Sequence, residues 1–353
     1  MTNHLTHFWP YYLATFILTI IFVNAFKKPA QYIVLVDFPG GRKIHSGAIP
    51  LIGGASIVFS FICISLFLDF PLREYGSLFL GAGILLVTGL VDDLVEIKAR
   101  TRLFIQIIVA TMMTTWGGMN IEILGNLFGY GNIYLDYMSI PLTIFLVVGY
   151  INSINMIDGA DGLAGGLLFI MGLSLFLLSI SSGYTENIIV LLGMYVSSIL
   201  AFLLYNYRHP WRKRADIFMG DSGSMSLGYI LIWLAIYFSQ DPVFEAQPIS
   251  ITWILVLPLF DSSAIIIRRI LTGRNPFAAD RYHIHHILSR HGLSQHTTVN
   301  IILFTSIIFS LTAYVGWKIN VAEYYMNYIL FALFFLYIYF TIYMYKHTQP
   351  KNI

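Results

Sequence analysis

The sequence predicts an all-α polytopic membrane protein, and three observations carry that reading. Hydrophobic residues fill 57% of the 353 positions and charged residues only 11%, whereas a soluble domain devotes about 25% to charge. Such a composition cannot clothe a water-solvated surface of ordinary size, which sets aside a soluble globular enzyme, a disordered chain and a nucleic-acid binder. Apolar runs of membrane-crossing length, about 20 residues each, follow one another along the chain. Lysines and arginines crowd into alternate loops between those runs.

The runs lie at residues 8–26, 51–68, 77–91, 103–118, 140–157, 163–181, 187–205, 222–239, 249–267, 298–317 and 325–345, about 11 transmembrane helices. The first has no basic residue before it, Lys27 and Lys28 directly after it and no small-residue cleavage pattern. It reads as a retained span and not as a signal peptide. The second contains Cys63, the single cysteine, so neither a disulfide framework nor a cysteine metal cluster forms within one chain. The third and fourth are short, and residues 119–139 after them, with Gly125, Gly129 and Gly131, read as a turn-rich outer hairpin. The fifth carries polar residues toward its end, the eighth opens on a glycine-flanked aspartate, and the ninth contains Pro258 and Asp261. These spans leave short loops and no room for a separate soluble domain, so residues 1–353 read as a single integral membrane domain.

With the N-terminus outside and the C-terminus cytoplasmic, all of the 20 lysines and arginines except Arg73 and Lys318 fall on the inner side. Basic loops stay cytoplasmic. The same loops hold nearly all the unusual polar motifs, which puts the active site on the cytoplasmic face.

Four motifs stand out. Asp92-Asp93 with Glu96 lies just past the third span; successive helical residues point about 100° apart, so the two aspartates have different tasks. A solvated acidic turn paired with Lys98 or Arg100 would also suit that dipeptide. Asn152-Ser-Ile-Asn155-Met-Ile-Asp158-Gly-Ala-Asp161-Gly162 repeats a polar residue every third position as an apolar span ends. Burying two amides and two carboxylates there is costly unless they face a ligand, a metal or a water-filled cavity. Phe218-Met-Gly-Asp221-Ser-Gly-Ser224 opens the eighth span, with Asp221 where a helix cap would sit and free helix amides nearby to attract phosphate. No lysine follows, so it is not a Walker loop. Pro276-Phe-Ala-Ala-Asp280-Arg281-Tyr-His283-Ile-His285-His286 lies in the most basic loop. Its spacing lacks the i, i+4 histidine pair of a helical zinc site, and donors for a diphosphate or sugar hydroxyls suit it better. Asp261, the one acid well inside an apolar run, is either functional or held by a structural partner such as a serine or arginine on another helix.

Together these motifs resemble the polyprenyl-phosphate N-acetylhexosamine-1-phosphate transferases of glycosyltransferase family 4. The resemblance rests on Gly47-Ala-Ile-Pro50-Leu-Ile-Gly53-Gly54, Asp92-Asp93, Asn152 through Leu163, Asn206, Phe218-Met-Gly-Asp221-Ser-Gly and His283-Ile-His285-His286, in the family's order and over roughly residues 35–290. The histidine stretch looks most like the branch that transfers N-acetylglucosamine 1-phosphate. Glu96 departs from the pattern, since relatives often carry aspartate there.

The resemblance implies transfer of N-acetylglucosamine 1-phosphate from UDP-N-acetylglucosamine to undecaprenyl phosphate with release of UMP. This is the first membrane step of cell-surface polysaccharide synthesis, carried out in the bacterial cytoplasmic (inner) membrane. It implies Mg²⁺, with Mn²⁺ as a substitute, the lipid bilayer as partner, no nucleic acid, and admits a homodimer. By the same resemblance Asp221 is the metal ligand, Asp92 the proposed base and Asp93 its support. Asp158, Asp161 and Phe218 line the nucleotide pocket, with Asn152, Asn155 and Asn206 beside the substrate. Arg281, His283, His285 and His286 meet the diphosphate or sugar. The same reaction with another UDP-N-acetylhexosamine is the near alternative. A proton-coupled transporter is the distant one, but its acids would lie near mid-membrane in symmetric halves, and here all except Asp261 sit at span ends.

Overall fold

The computed structural model describes residues 2–38, 47–68, 70–183, 185–209, 212, 214–240, 247–275 and 282–348. Their elements are α1 (Thr2–Tyr32), β1 (Val36–Asp37), β2 (Ile49–Pro50), α2 (Gly53–Ser65), α3 (Leu72–Val95), α4 (Ala99–Thr115), α5 (Ser139–Ile157), α6 (Leu163–Ser182), α7 (Glu186–Asn206), α8 (Gly220–Gln240), α9 (Pro248–Leu271), α10 (Ile284–Arg290), α11 (Gln295–Lys318) and α12 (Glu323–Thr348). Among the described residues nine helices are long and apolar enough to cross a membrane: α1, α3, α5 to α9, α11 and α12. The chain is a multi-pass membrane protein whose described residues are predominantly helical.

Each predicted run falls on a helix, but two helices are shorter than a full span. The 13 residues of α2 reach only about 20 Å at 1.5 Å per residue, against a hydrocarbon core about 30 Å thick. Leu66 to Leu68, apolar and counted into the second run, leave the helix as a turn, with Leu66 and Phe67 exposed. Hydropathy alone does not register where the backbone turns. The 17 residues of α4 begin with Ala99-Arg-Thr-Arg102, so its first turn is charged. The seven-residue α10 is too short to leave a periodic signal.

The chain divides into two compact units, one of Met1–Glu122 and Leu135–Glu245, the other of Ile123–Tyr134 and Ala246–Ile353. In the first, α8 is the core helix, packed against α2, α3, α5, α6 and α7 and buried along almost its whole length. Small residues let it be so enclosed. A Cβ on Gly89 of α3 would stand 2.2 Å from the Ser222 Cα of α8, so glycine permits backbone-to-backbone contact where van der Waals packing holds membrane helices together. That crossing sets the last turn of α3 beside the first turn of α8. Farther along the same pair, Tyr229 OH donates to Ser77 O at 2.8 Å and Trp233 Nε1 to Ser77 Oγ at 3.0 Å.

A two-stranded antiparallel ribbon, Val36 opposite Pro50 and Asp37 opposite Ile49, leads into α2. The strand exit also holds the approach to α8: Phe218 N donates to Pro50 O, and Gly53 N and Gly54 N donate to Phe218 O and Met219 O, all at 2.9 Å. In the second unit α9 packs against α11 and α12, and α10 against α11 and α12. The expected hairpin appears over residues 123–134, with Gly125, Gly129 and Gly131 all at positive φ. It is tied to α12 where Asn126 N donates to Glu323 Oε1 and Asn327 Nδ2 to Leu127 O, both at 3.0 Å.

Candidate active site

In the first unit the ends of α3, α5 and α8 bring together carboxylates far apart in sequence. Asp92 and Asp93 do take separate tasks. Asp93 receives Asp221 N on Oδ1 at 2.8 Å and Ser222 N on Oδ2 at 3.2 Å, so it satisfies two free amides at the start of α8. Sequence reasoning put Asp221 at a cap position; the structure places it inside the first turn, and the capping carboxylate comes from α3. Gly220, at φ +75°, allows this approach, since a Cβ there would stand 2.6 Å from Asp93 Oδ2.

Asp92 is 3% exposed and is not part of a solvated turn. Its Oδ1 accepts Ile97 N at 2.8 Å and its Oδ2 accepts Arg102 Nη1 at 2.6 Å, so its partner is Arg102 and not the expected Lys98 or Arg100. The same Nη1 lies 3.4 Å from Asp221 Oδ2. One guanidinium of α4 thus bridges two carboxylates. Sequence reasoning used Arg102 only as a topological charge; its place one turn into the helix after Asp92-Asp93 was the available signal.

Asp221 has a side chain 33% exposed, with Oδ1 held by Asn155 Nδ2. Asn155 Nδ2 also donates to Ser224 Oγ at 2.9 Å. One turn deeper, Asn152 Nδ2 donates to Gln106 Oε1 at 2.6 Å, which ties α5 to α4; Gln106 too was missed. Asp158 follows the last residue of α5 and its carboxylate accepts no hydrogen bond from the described residues. Loss of water around it pushes its pKa up to about 7, and the charges of Asp221, Asp93 and Asp161 push the same way. Asp161 is spoken for: its Oδ2 accepts Arg208 Nε at 2.7 Å and Ala215 N at 3.1 Å. Asn206 staples two segments, accepting Gly162 N at 2.8 Å and donating to Ile217 O at 2.9 Å. Phe218 is half-buried three residues before Asp221, its backbone bonded to Pro50 and Gly53.

The second unit holds the histidines. Asp261, 2% exposed, accepts His283 Nδ1 on Oδ2 at 2.7 Å and both Ile284 N and Tyr337 OH on Oδ1 at 2.9 Å. Its partners are a histidine, a backbone amide and a tyrosine, and not the serine or arginine that the structural alternative offered. His285 is 4% exposed with neither ring nitrogen hydrogen-bonded among the described residues. Burial pulls its pKa down to about 3, helped by His286 and His283 and opposed by Asp261, so the ring is neutral at physiological pH. The His286 ring lies against it at a 45° tilt, the centroids 4.1 Å apart. Arg281, with residues 276–280, lies outside the described residues.

The donor set fits a magnesium ion that completes its shell with substrate. Among the described residues no three histidine, cysteine or acidic side chains converge as a closed metal site. Mg²⁺ usually takes one or two carboxylates plus substrate phosphates and water. Asp221, part-exposed and with Oδ2 only loosely engaged, offers such a carboxylate, and Asp158 lies near enough for the two to feel each other's charge.

Residues 75–239, which include the carboxylate cluster, match glycosyl transferase family 4. The undecaprenyl-phosphate alpha-N-acetylglucosaminyl 1-phosphate transferase of Escherichia coli (strain K12) is 34% identical over 327 residues, covering 92% of this chain and 88% of its own. That of Haemophilus influenzae is 34% identical over 329 residues, covering 92% and 91%, and that of Yersinia pestis 32% over 322, covering 91% and 87%. Similarity on that scale reaches through both units, and the chain belongs to glycosyl transferase family 4, the family of these transferases.

Proposed function

We propose that the protein transfers N-acetylglucosamine 1-phosphate from UDP-N-acetylglucosamine to undecaprenyl phosphate, giving undecaprenyl-diphosphate N-acetylglucosamine and UMP. The observation that carries the reading is the junction of Asp92, Asp93, Asp158, Asp221 and Arg102 at the ends of α3, α4, α5 and α8, in a chain one-third identical to enzymes of that name. Phosphoryl transfer depends on alignment and charge neutralisation, and this junction offers both.

In this reading an oxygen of the acceptor phosphate attacks the donor's sugar-bearing β-phosphorus. A new P–O bond forms as the bond to the bridging oxygen breaks, and UMP leaves with that electron pair. A phosphate monoester with a second pKa near 6 arrives mostly ionised at neutral pH, so little proton removal is asked of Asp92. Its carboxylate instead fixes Arg102, whose guanidinium offers donors to phosphate oxygens. Asp221 would hold Mg²⁺, with Mn²⁺ as a substitute; the ion supplies charge neutralisation on the diphosphate when bound. Asp93 keeps the first turn of α8, and so Asp221, in place. Asp158 and Phe218 face the nucleotide, with Asp161 and Asn206 holding the surrounding turns. His283, His285, His286 and Arg281 meet the diphosphate and N-acetyl sugar.

The same reading takes the chain as one transferase domain of eleven spans, with α2 and α4 as short ones. The N-terminus lies outside, and the site lies on the inner face of the bacterial cytoplasmic membrane. The test is to give purified protein undecaprenyl phosphate, Mg²⁺ and a panel of UDP-sugars, then measure UMP and lipid product. UMP formed only with UDP-N-acetylglucosamine and only with the lipid acceptor is the expected result. Turnover of another UDP-N-acetylhexosamine in preference to it would reassign the donor.

A further inference from the structure

The carboxylate of Asp261 takes three hydrogen bonds in the second unit, and the reaction as written leaves it unused. It sits in α9, 2% exposed, and takes hydrogen bonds from three separate places: His283 at the start of α10, the Ile284 amide one residue on, and Tyr337 of α12. An ionised carboxylate only accepts, so the imidazole must present Nδ1–H to it. That fixes the tautomer and leaves Nε2 as the free nitrogen, in the way an orienting partner sets which ring nitrogen does the work. His283 Nε2 has no partner among the described residues. The Ile284 amide is one of the donors that a helix start leaves unpaired, so the same carboxylate also sets where α10 begins. With that start fixed, His285 stands with its ring nearly parallel to that of His283, the two planes 12° apart.

We propose that Asp261 is a positioning residue for the transfer reaction: it holds His283 by Nδ1 so that Nε2 is offered to the donor's diphosphate. The proposal rests on the reading that the histidine stretch meets the donor. A purely structural Asp261 would merely join α9, α10 and α12, and the two roles separate experimentally.

The full chain in detergent is assayed with UDP-N-acetylglucosamine, undecaprenyl phosphate and Mg²⁺ as wild type, Asp261→Asn, Tyr337→Phe, His283→Ala and the Asp261→Asn/His283→Ala pair. Loss of the partner that orients a metal-bound histidine lowers activity about 10- to 100-fold, and with the same kind of support removed from a substrate-facing imidazole, Asp261→Asn is expected to lower kcat about 10-fold or more. Tyr337→Phe removes a donor from the same carboxylate but spares the imidazole bond, so kcat changes only slightly although the thermal midpoint drops. In the double variant Asp261→Asn adds little to His283→Ala. Losses that follow the thermal midpoint alike in Asp261→Asn and Tyr337→Phe, or that multiply in the double variant, overturn the proposal and leave the histidine reading standing. Undiminished transfer by His283→Ala overturns that reading and the proposal with it. If Asp261→Asn does not fold, nitrogen NMR of ring-labelled wild type decides. A Nδ1-protonated ring whose signal vanishes in His283→Ala supports the proposal, and a neutral Nε2–H ring at His283 overturns it.

Discussion

Asp221 and Asp93 are one hydrogen bond apart and differ in what each has left to give. Both oxygens of Asp93 are consumed by the amides of α8, whereas Asp221 keeps Oδ2 at the margin of a hydrogen bond to Arg102. Asp221→Asn is therefore expected to preserve the fold and lower kcat roughly 10²- to 10³-fold, the scale seen when one charge-stabilising group is removed from a site. Near-normal turnover of the purified variant at saturating Mg²⁺ would refute the assignment. Asp158 gives a prediction with a sign. Its carboxyl titrates at about 7 in the fold and near 3.8 unfolded, so the folded protein holds that proton more tightly and loses stability as pH rises from about 4 to 7. Asp158→Asn, neutral throughout, should raise the thermal midpoint of ligand-free protein at pH 8 and leave it nearly unchanged at pH 4. An equal effect at both pH values would show that the charge is not felt. The roles of Asp92 and Asp93 were legible as a difference because helical geometry forbids them one direction; their partners were not, because Arg102 and the α8 amides are set by tertiary packing. Asp261 was legible as unusual, but its partners lie 22 and 76 residues away, and no local pattern joins them.

At the scale of the element, the site depends on how closely α3 and α8 cross. Gly89→Ala would drive a Cβ into the Ser222 backbone, which no rotamer change relieves. Overpacking of this kind costs about 1–3 kcal/mol, and the crossing is one turn from Asp92-Asp93. The variant is expected to lose both thermal midpoint and transfer activity. Gly83→Ala, on the same helix with nothing within 4 Å of its Cβ, is the control and should raise or preserve stability, since alanine favours helix over glycine. Equal behaviour of the two would remove the close crossing as the reason for glycine at 89. The helices themselves were readable from apolar runs, but their ends were not: α2 stops at Ser65 while the apolar run continues to Leu68, and α10 is shorter than any window that detects periodicity.

For the whole molecule, the distribution of basic residues makes a prediction independent of any chemistry. With Cys63 replaced by serine, the chain has no other cysteine, so Lys318→Cys and Arg274→Cys give single reporters. A membrane-impermeant thiol reagent added outside intact cells or spheroplasts should label the first and spare the second until the membrane is opened. The reverse pattern would invert the orientation, and labelling of both on one side would break the eleven-span count.

The enclosure of α8 bears on how the protein is made. The helix at the centre of the first unit is the last of that unit to leave the ribosome, and it is the least apolar of the nine long spans. Its neighbours α2, α3, α5, α6 and α7 must therefore enter the membrane ahead of the segment they surround, and α8 must slip among them. Lone insertion into lipid would serve a serine-rich segment poorly. The transferase site would thus be born late, when the first turn of α8 reaches Asp93 and a nascent bundle of helices becomes an enzyme.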